Sequence, residues 1–206
     1  MSISATLFAA IYDRVMSSTE RAGLAELRHQ LLGDVKGDVL EIGAGTGANL
    51  DAYGVGVERL TLTEPEPPMV RRLDRRVRDA AVDALVLRAP CEDLPFENDT
   101  FDAAVTTLVL CTVDDLPRAL RELRRVLRPG GELRFIEHVR SQSPRLARWQ
   151  DRLNGVNRVL GHGCNCNRST LDAIGDAGFI VRQVETGGLP KAPLLVRPLV
   201  IGSALA

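Results

Sequence analysis

The amino-acid sequence predicts an α/β fold, a doubly wound and mostly parallel sheet formed by one domain spanning residues 1–206. Three observations predict it. A chain of 206 residues can bury one sizeable core but is short for two. Short apolar runs at 39–42, 59–63, 84–87, 101–107 and 132–136 alternate with segments whose apolar residues recur at helical spacing. Parallel strands need such crossovers, and helices on both faces then bury the sheet on both sides.

Two helical stretches open the chain, residues 3–16 and roughly 19–32, the second with Leu24, Leu27, Leu31 and Leu32 in helical register. They are expected to cover the site. Gly37 introduces the first strand, Val39-Leu40-Glu41-Ile42, and Gly43-Ala44-Gly45-Thr46-Gly47 follows at once as a tight turn into a helix. The second strand stops at Glu64. Pro65, Pro67 and Pro68 mark the turn into a helix with Met69, Leu73 and Val77 inward. After the third strand comes a loop, and the turn-rich 97–100 precedes the fourth. Leu116, Ala119, Leu120, Leu123, Val126 and Leu127 then repeat as a helix until Pro129-Gly130-Gly131, and 132–136 supplies the fifth strand. After Pro144 a helix carries Leu146, Leu153 and Trp149, whose expected role is packing. A polar Gly/Asn/Cys loop, a helix from Ser169 and two apolar runs, 179–184 and 194–205, follow; the runs are expected to close the sheet as a terminal hairpin.

Composition excludes several classes. A formal net charge of −1 provides no broad positive field for nucleic-acid phosphates. The arginine clusters at 71–78 and 118–128 fall opposite their helices' apolar stripes, as solvated faces do. Cys91, Cys111, Cys164 and Cys166 are too few and too irregular for a disulfide scaffold, and no signal peptide precedes them, so a reducing cytoplasm is expected. Residues 2–15 mix apolar side chains with Tyr12, Asp13 and Arg14, and no apolar run is long enough to span a bilayer.

The glycine turn carries the first chemistry. Glycines directly after a buried strand permit positive φ and let a ligand approach the backbone. Such turns serve several nucleotide cofactors. Here Gly43, Gly45 and Gly47 follow the acid Glu41 as G-x-G-x-G, whereas a NAD site usually reads G-x-G-x-x-G. Ligands of open α/β sheets sit beyond the carboxyl ends of the strands, so Glu64 is placed to accept hydrogen bonds from both hydroxyls of a ribose.

With Leu40-Glu41-Ile42-Gly43-Ala44-Gly45-Thr46-Gly47, the segments Cys91-Glu92-Asp93-Leu94-Pro95-Phe96, Phe101-Asp102 and Leu127-Arg128-Pro129-Gly130-Gly131 resemble, in order, the motifs of class I S-adenosylmethionine (SAM)-dependent methyltransferases over almost the whole chain. The resemblance implies a Rossmann-like sheet of seven strands with an antiparallel last strand, capped by the N-terminal helices. It also implies SAM as cofactor, held by Tyr12, Glu41, Gly43, Ala44, Gly45, Gly47, Asn49, Glu64, Pro65, Cys91, Glu92, Thr107 and Leu108. Glu41 would face the methionine ammonium, and Tyr12 would close over the methionine end, with core packing its other reading. Pro90 stands where the family has an acid before the adenine, leaving Glu92 or a carbonyl for the amino group and the Cys91 or Glu92 N–H for a ring nitrogen.

A narrower resemblance rests on Gly43-Ala44-Gly45-Thr46-Gly47-Ala48-Asn49, Thr107-Leu108-Val109-Leu110-Cys111-Thr112-Val113, Glu137-His138-Val139, Gly163-Cys164-Asn165 and Leu195-Val196-Arg197-Pro198. These segments are similar to the methyltransferase-like family containing the mammalian membrane-associated alkyl-thiol S-methyltransferases; ubiquinone and menaquinone C-methyltransferases are more distant. The sequence lacks the hydrophobic N-terminal anchor of the mammalian proteins, which implies a soluble enzyme. It also differs at Cys166 and Asn167, which leaves the acceptor open.

The sulfonium makes the methyl group electrophilic, so alignment of an acceptor and exclusion of water are the protein's main tasks. With a thiol acceptor the thiolate is the nucleophile, and His138, just past the fifth strand, is the candidate base, positioned by Glu137. Capping a turn is the competing role for that histidine. Cys111, Asn165 and Arg168 are the candidate acceptor contacts. His162, Cys164 and Cys166 lack a fourth ligand for structural zinc, and no metal is expected. S-methylation of a small thiol leads, followed by C- or O-methylation of a quinone-like acceptor. A different Rossmann-type enzyme and a noncatalytic SAM-binding module remain as alternatives.

Overall fold

The computed structural model describes residues 12–14, 16–80 and 82–206. Most of the first predicted helix lies outside them; 12–14 and 16–19 are helical. A π-helical turn, Glu20–Leu24, then runs into the α-helix Ala25–Leu32 (α1). The strands are β1 (Gly37–Ile42), β2 (Val57–Thr63), β3 (Ala84–Leu87), β4 (Phe101–Thr107), β5 (Leu127–His138), β6 (Ile180–Gly188) and β7 (Pro198–Leu205). The remaining α-helices are α2 (Pro67–Asp79), α3 (Leu116–Val126), α4 (Pro144–Leu160) and α5 (Thr170–Asp176).

One seven-stranded sheet orders them β3-β2-β1-β4-β5-β7-β6. The first five strands are parallel to one another, and β7 is antiparallel to both β5 and β6. Strand order reverses between β1 and β4. Connections leave these two strands in opposite directions and open a crevice at their carboxyl ends.

Alternation along the strands assigns the two cores. Leu40, Ile42, Ala104 and Phe135 point to one face, where α3 contributes Leu120 and Leu123. Val39, Leu62, Val105 and Ile136 point to the other, against Leu24 and Leu32 of the α1 segment and Leu73 of α2. Asp115 caps α3 by accepting from the Arg118 N–H at 3.0 Å.

Three details depart from the sequence reading. Helix α3 ends at Val126, before Pro129-Gly130-Gly131, and Leu127 already pairs with Phe101; those three residues belong to the irregular start of β5. Residues 194–196 form a 3₁₀ turn, so the last strand begins only at Pro198. Trp149 does not pack its helix: it is 55% exposed. Helix α4 is anchored by the fully buried Gln150, whose amide N–H groups donate to the Cys166 and Leu195 carbonyls at 2.9 Å while its Oε1 accepts from the Ser141 N–H at 2.7 Å. Among the described residues, no helix is long and apolar enough to cross a membrane.

Candidate active site

The glycine turn leaves β1 with φ of +59° at Gly43, +58° at Gly45 and +84° at Gly47, a region that L side chains rarely adopt. The three glycines differ in what surrounds them. A Cβ on Gly43 would lie 2.6 and 2.7 Å from the Val109 methyls, and one on Gly47 would lie 2.9 Å from Leu50 Cδ1. A Cβ on Gly45 would meet only the Gly43 carbonyl oxygen, 3.9 Å away, and would otherwise project into open space. Gly43 and Gly47 are therefore required by packing, whereas Gly45 keeps a cradle clear.

Glu64 closes this cradle. Its Oε2 accepts from the Gly45 N–H at 2.9 Å and its Oε1 from the Glu66 N–H at 3.0 Å, leaving lone pairs on both oxygens. Burial pushes its pKa up, against those two backbone bonds. Ala44 donates its N–H to the Thr63 carbonyl, and the Thr46 hydroxyl donates to Asp13 at 2.6 Å, tying the N-terminal helical residues to the turn. Pro65 is exposed, and its carbonyl accepts from Arg88.

Beneath the turn is a buried polar set. Glu41 accepts from Asn49 at 2.9 Å and from the Tyr53 hydroxyl at 2.6 Å, so both its oxygens are engaged within the protein. Burial raises its pKa to about 7, with the Tyr53 and Asn49 bonds acting in the opposite direction. Arg28 donates to Asn49 Oδ1 at 2.6 Å and to Thr107 Oγ1 at 2.9 Å, and its other nitrogens reach Glu20. This arginine was missed in the sequence. Its signal was legible: Arg28 falls on the same helical face as Leu24, Leu31 and Leu32, where a charge needs a partner. Arg28 lines a cavity of about 220 Å³ together with Tyr12, Asp13, Met16, Glu20 and Ala48. Burial raises the Tyr12 pKa, opposed by the Arg28 charge.

On the side expected to hold adenine, Cys91 and Glu92 make contacts within the protein. Glu92 Oε1 accepts from the N–H groups of Asp114 and Asp115 at 2.8 and 3.3 Å, which ties this loop to the start of α3. Cys91 is a core residue, its thiol directed at the Ala119 carbonyl at 3.9 Å.

Beyond β4, the chain turns through Leu108 at φ +62°. The carboxylate of fully buried Glu137 gathers the next three N–H groups, Val109 and Leu110 at 3.0 Å and Cys111 at 3.3 Å. Glu137 thus positions this loop rather than His138. Arg168 clamps it from outside, donating to the Leu110 carbonyl at 2.6 Å and the Val113 carbonyl at 2.7 Å. Asn165 donates its backbone N–H to the Cys111 carbonyl and its side chain to the Cys111 and Gly163 carbonyls, while its Oδ1 accepts from Asn154. Both residues, the expected acceptor contacts, hold the loop that carries Cys111.

The result is a trio that the sequence did not assemble. His138 is the last residue of β5, and its Nδ1 lies 3.7 Å from Cys111 Sγ and 3.5 Å from Cys164 Sγ. Its Nε2 is buried and has no hydrogen-bond partner among the described residues. The Cys164 thiol is held down to about 5 by its hydrogen bond with Cys111 and then by His138; the same contact and burial push Cys111 up. Cys166 packs against both cysteines, and burial raises it to about 11. His138 ends β5 and Cys111 lies in the loop after β4, so both stand at the carboxyl ends of these strands, where the loop after α4 brings Cys164 to them.

A glycine turn after β1, an acid just beyond β2 and a reversed strand order that opens a crevice beside them are the arrangement expected of a SAM-dependent methyltransferase. Comparisons with known proteins agree. Residues 40–135 match the family described as Methyltransferase domain. The human thiol S-methyltransferase TMT1A is 34% identical over 202 residues, covering 96% of this chain and 82% of the relative; human TMT1B is 34% identical over 198 residues, covering 94% and 80%. The chain belongs to the methyltransferase family that includes these two proteins. A solved SAM-dependent methyltransferase from Thermotoga maritima shares the fold, with a TM-score of 0.70, 24% identity and 97% coverage of each chain.

Proposed function

We propose that this enzyme transfers a methyl group from SAM to the sulfur of a small thiol in the cytoplasm. The chain's residues fit the cofactor. Gly45 keeps the turn open, and Glu64 retains acceptor capacity on both oxygens for the ribose hydroxyls. Arg28, fixed by Asn49 and Thr107 beside Tyr12, suits the methionine carboxylate, while Glu41 acts through Asn49 and Tyr53 to hold that end in place. When bound, SAM supplies an electrophilic methyl group on its sulfonium.

The observation that carries the thiol assignment is the Cys111–His138–Cys164 cluster. It concentrates sulfur and imidazole at the carboxyl ends of β4 and β5, the end expected for an acceptor. An ordinary thiol of pKa ~8.5 is only a few per cent thiolate at neutral pH. We assign the stabilisation of that thiolate to His138. The relatives' thiol S-methyltransferase names support the same acceptor class. A net charge of −1 supports a small-molecule rather than a nucleic-acid acceptor, and four free cysteines support a reducing compartment. The test is methyl transfer from labelled SAM to a panel of alkyl thiols, phenols and quinols. S-methylated products are expected; conversion of a hydroxylated aromatic with no thiol methylated would overturn the assignment.

A further inference from the structure

We propose that Cys111, His138 and Cys164 form a zinc(II) site with one coordination position left for the sulfur of the acceptor. The inference rests on the thiol reading above and deepens it.

The geometry of the three ligand atoms motivates it. All lie within 4.8 Å of one another and all three residues are buried. Zinc bonds of ~2.3 Å to sulfur and ~2.0–2.1 Å to nitrogen, at tetrahedral angles, separate the two ligand atoms by ~3.6 Å. The sulfurs stand 3.7 and 3.5 Å from His138 Nδ1. A hydrogen bond satisfies only one of these contacts, because Nδ1 has a single lone pair or a single proton to offer. A cation between the three atoms satisfies both.

The donors also select the metal. Two thiolates and an imidazole suit zinc, and a Cys₂His set with a fourth position for water or substrate is a catalytic rather than a structural arrangement. Cys166, buried beside the cluster, does not belong to the three-residue set. In the sequence the trio considered was His162, Cys164 and Cys166, which lack a fourth ligand, and no metal was expected. The fold replaces two of them with residues 27 positions apart, from the loop after β4 and the end of β5.

The site is held before any metal arrives. Glu137 fixes the backbone of Cys111, Arg168 grips the same loop on either side of it, and Asn157 donates to the Cys164 carbonyl at 2.8 Å. Cys111 Sγ lies 3.6 Å from the Leu108 carbonyl, and the adjacent Thr107 touches Arg28 and Asn49. The trio therefore adjoins the residues assigned to the methionine end. An acceptor thiol entering the fourth position loses its proton to solvent, and its sulfur forms the new S–CH₃ bond as the donor's carbon–sulfonium bond breaks. One thiol and one SAM give one thioether, one S-adenosylhomocysteine and one proton, and the neutral thioether, a poor ligand, departs.

The experiment loads the purified protein with zinc or cobalt(II). One equivalent of metal per chain is expected, and the cobalt form should show a near-ultraviolet thiolate charge-transfer band with the intensity of two sulfurs. That band should be lost in Cys111→Ser and Cys164→Ser, and retained in Cys91→Ser and Cys166→Ser. Adding ethanethiol should raise it to three sulfurs. If a variant fails to fold, the wild-type band still counts the thiolates. Absence of stoichiometric binding, a band that survives both substitutions, or no response to ethanethiol overturns the proposal. Zinc-loaded enzyme should methylate thiols up to roughly 30-fold faster at pH 7 than metal-free enzyme, the gain from converting a thiol of pKa ~8.5 fully to thiolate. Equal rates would refute the metal's role and leave thiol methylation standing. A two-sulfur band without methylation of any thiol would refute the acceptor class and leave the metal site standing.

Discussion

Replacing Gly43 and Gly45 separately with alanine separates packing from ligand binding within one turn. Both residues have φ close to +60°, so each alanine incurs the left-handed cost of ~1–2 kcal/mol, partly offset by the lower entropy of the unfolded chain. Only Gly43→Ala then meets an obstacle. Its Cβ would overlap the Val109 methyls at 2.6 and 2.7 Å, and Val109 cannot easily retreat because it is buried and its N–H is bonded to Glu137. Overpacking of this kind adds ~1–3 kcal/mol, for an expected total of about 2–4 kcal/mol. Gly45→Ala should cost only about 1 kcal/mol, because no atom blocks its Cβ, but that methyl occupies the cradle beside Glu64. Denaturant unfolding gives the stabilities, and calorimetry with S-adenosylhomocysteine gives the affinities. Gly45→Ala should lose no more than that ~1 kcal/mol of stability but at least ~10-fold in affinity, equivalent to ~1.4 kcal/mol. Equal destabilisation by both alanines, or wild-type affinity in Gly45→Ala, would refute the distinction between the two glycines.

Three further outcomes are expected. Arg168→Ala removes two charged hydrogen bonds from the loop carrying Cys111 and should cost about 2–4 kcal/mol of stability, lowering thiol turnover while S-adenosylhomocysteine affinity stays unchanged in titrations of the folded variant. Glu137→Gln presents an amide N–H₂ to N–H groups that now share a carboxylate; thermal unfolding should show a loss of about 2–3 kcal/mol, the cost of an unsatisfied buried donor. Glu41 governs a pH dependence. Its folded pKa of about 7 lies above its unfolded value, so the stability linked to its proton is complete below about pH 4 and is lost as the pH rises through 7. Glu41→Gln should flatten unfolding free energy between pH 5 and 8 relative to wild type, by an amount on the order of 2–3 kcal/mol.

The fold was legible because the short apolar runs and the helical repeats obey different periods, and because Gly43 to Gly47 could only follow a strand. What the sequence obscured lies where polar groups override pattern. Trp149 reads as a core residue, yet Gln150 anchors α4 because its amide satisfies backbone groups from three segments. The glycine turn and Glu64 were readable from type and order. The partners of Glu41 were not, since Arg28, Asn49, Tyr53 and Thr107 meet only in three dimensions. The same holds for Cys111, His138 and Cys164, whose approach depends on Glu137 and Arg168 shaping a loop that has no periodicity of its own. Asn165 and Arg168 hold the loop that carries Cys111, a task that their sequence positions did not reveal.

The central claim, that the crevice at the end of β1 and β2 binds SAM through Glu64, is tested most directly by calorimetric titration of wild type and Glu64→Gln with S-adenosylhomocysteine. Saturable one-to-one binding is expected for wild type. The variant should bind roughly 10- to 100-fold more weakly, since it loses charged hydrogen bonds worth ~1.5–3 kcal/mol. No binding by folded wild-type protein, or equal affinity in the two, would contradict the account.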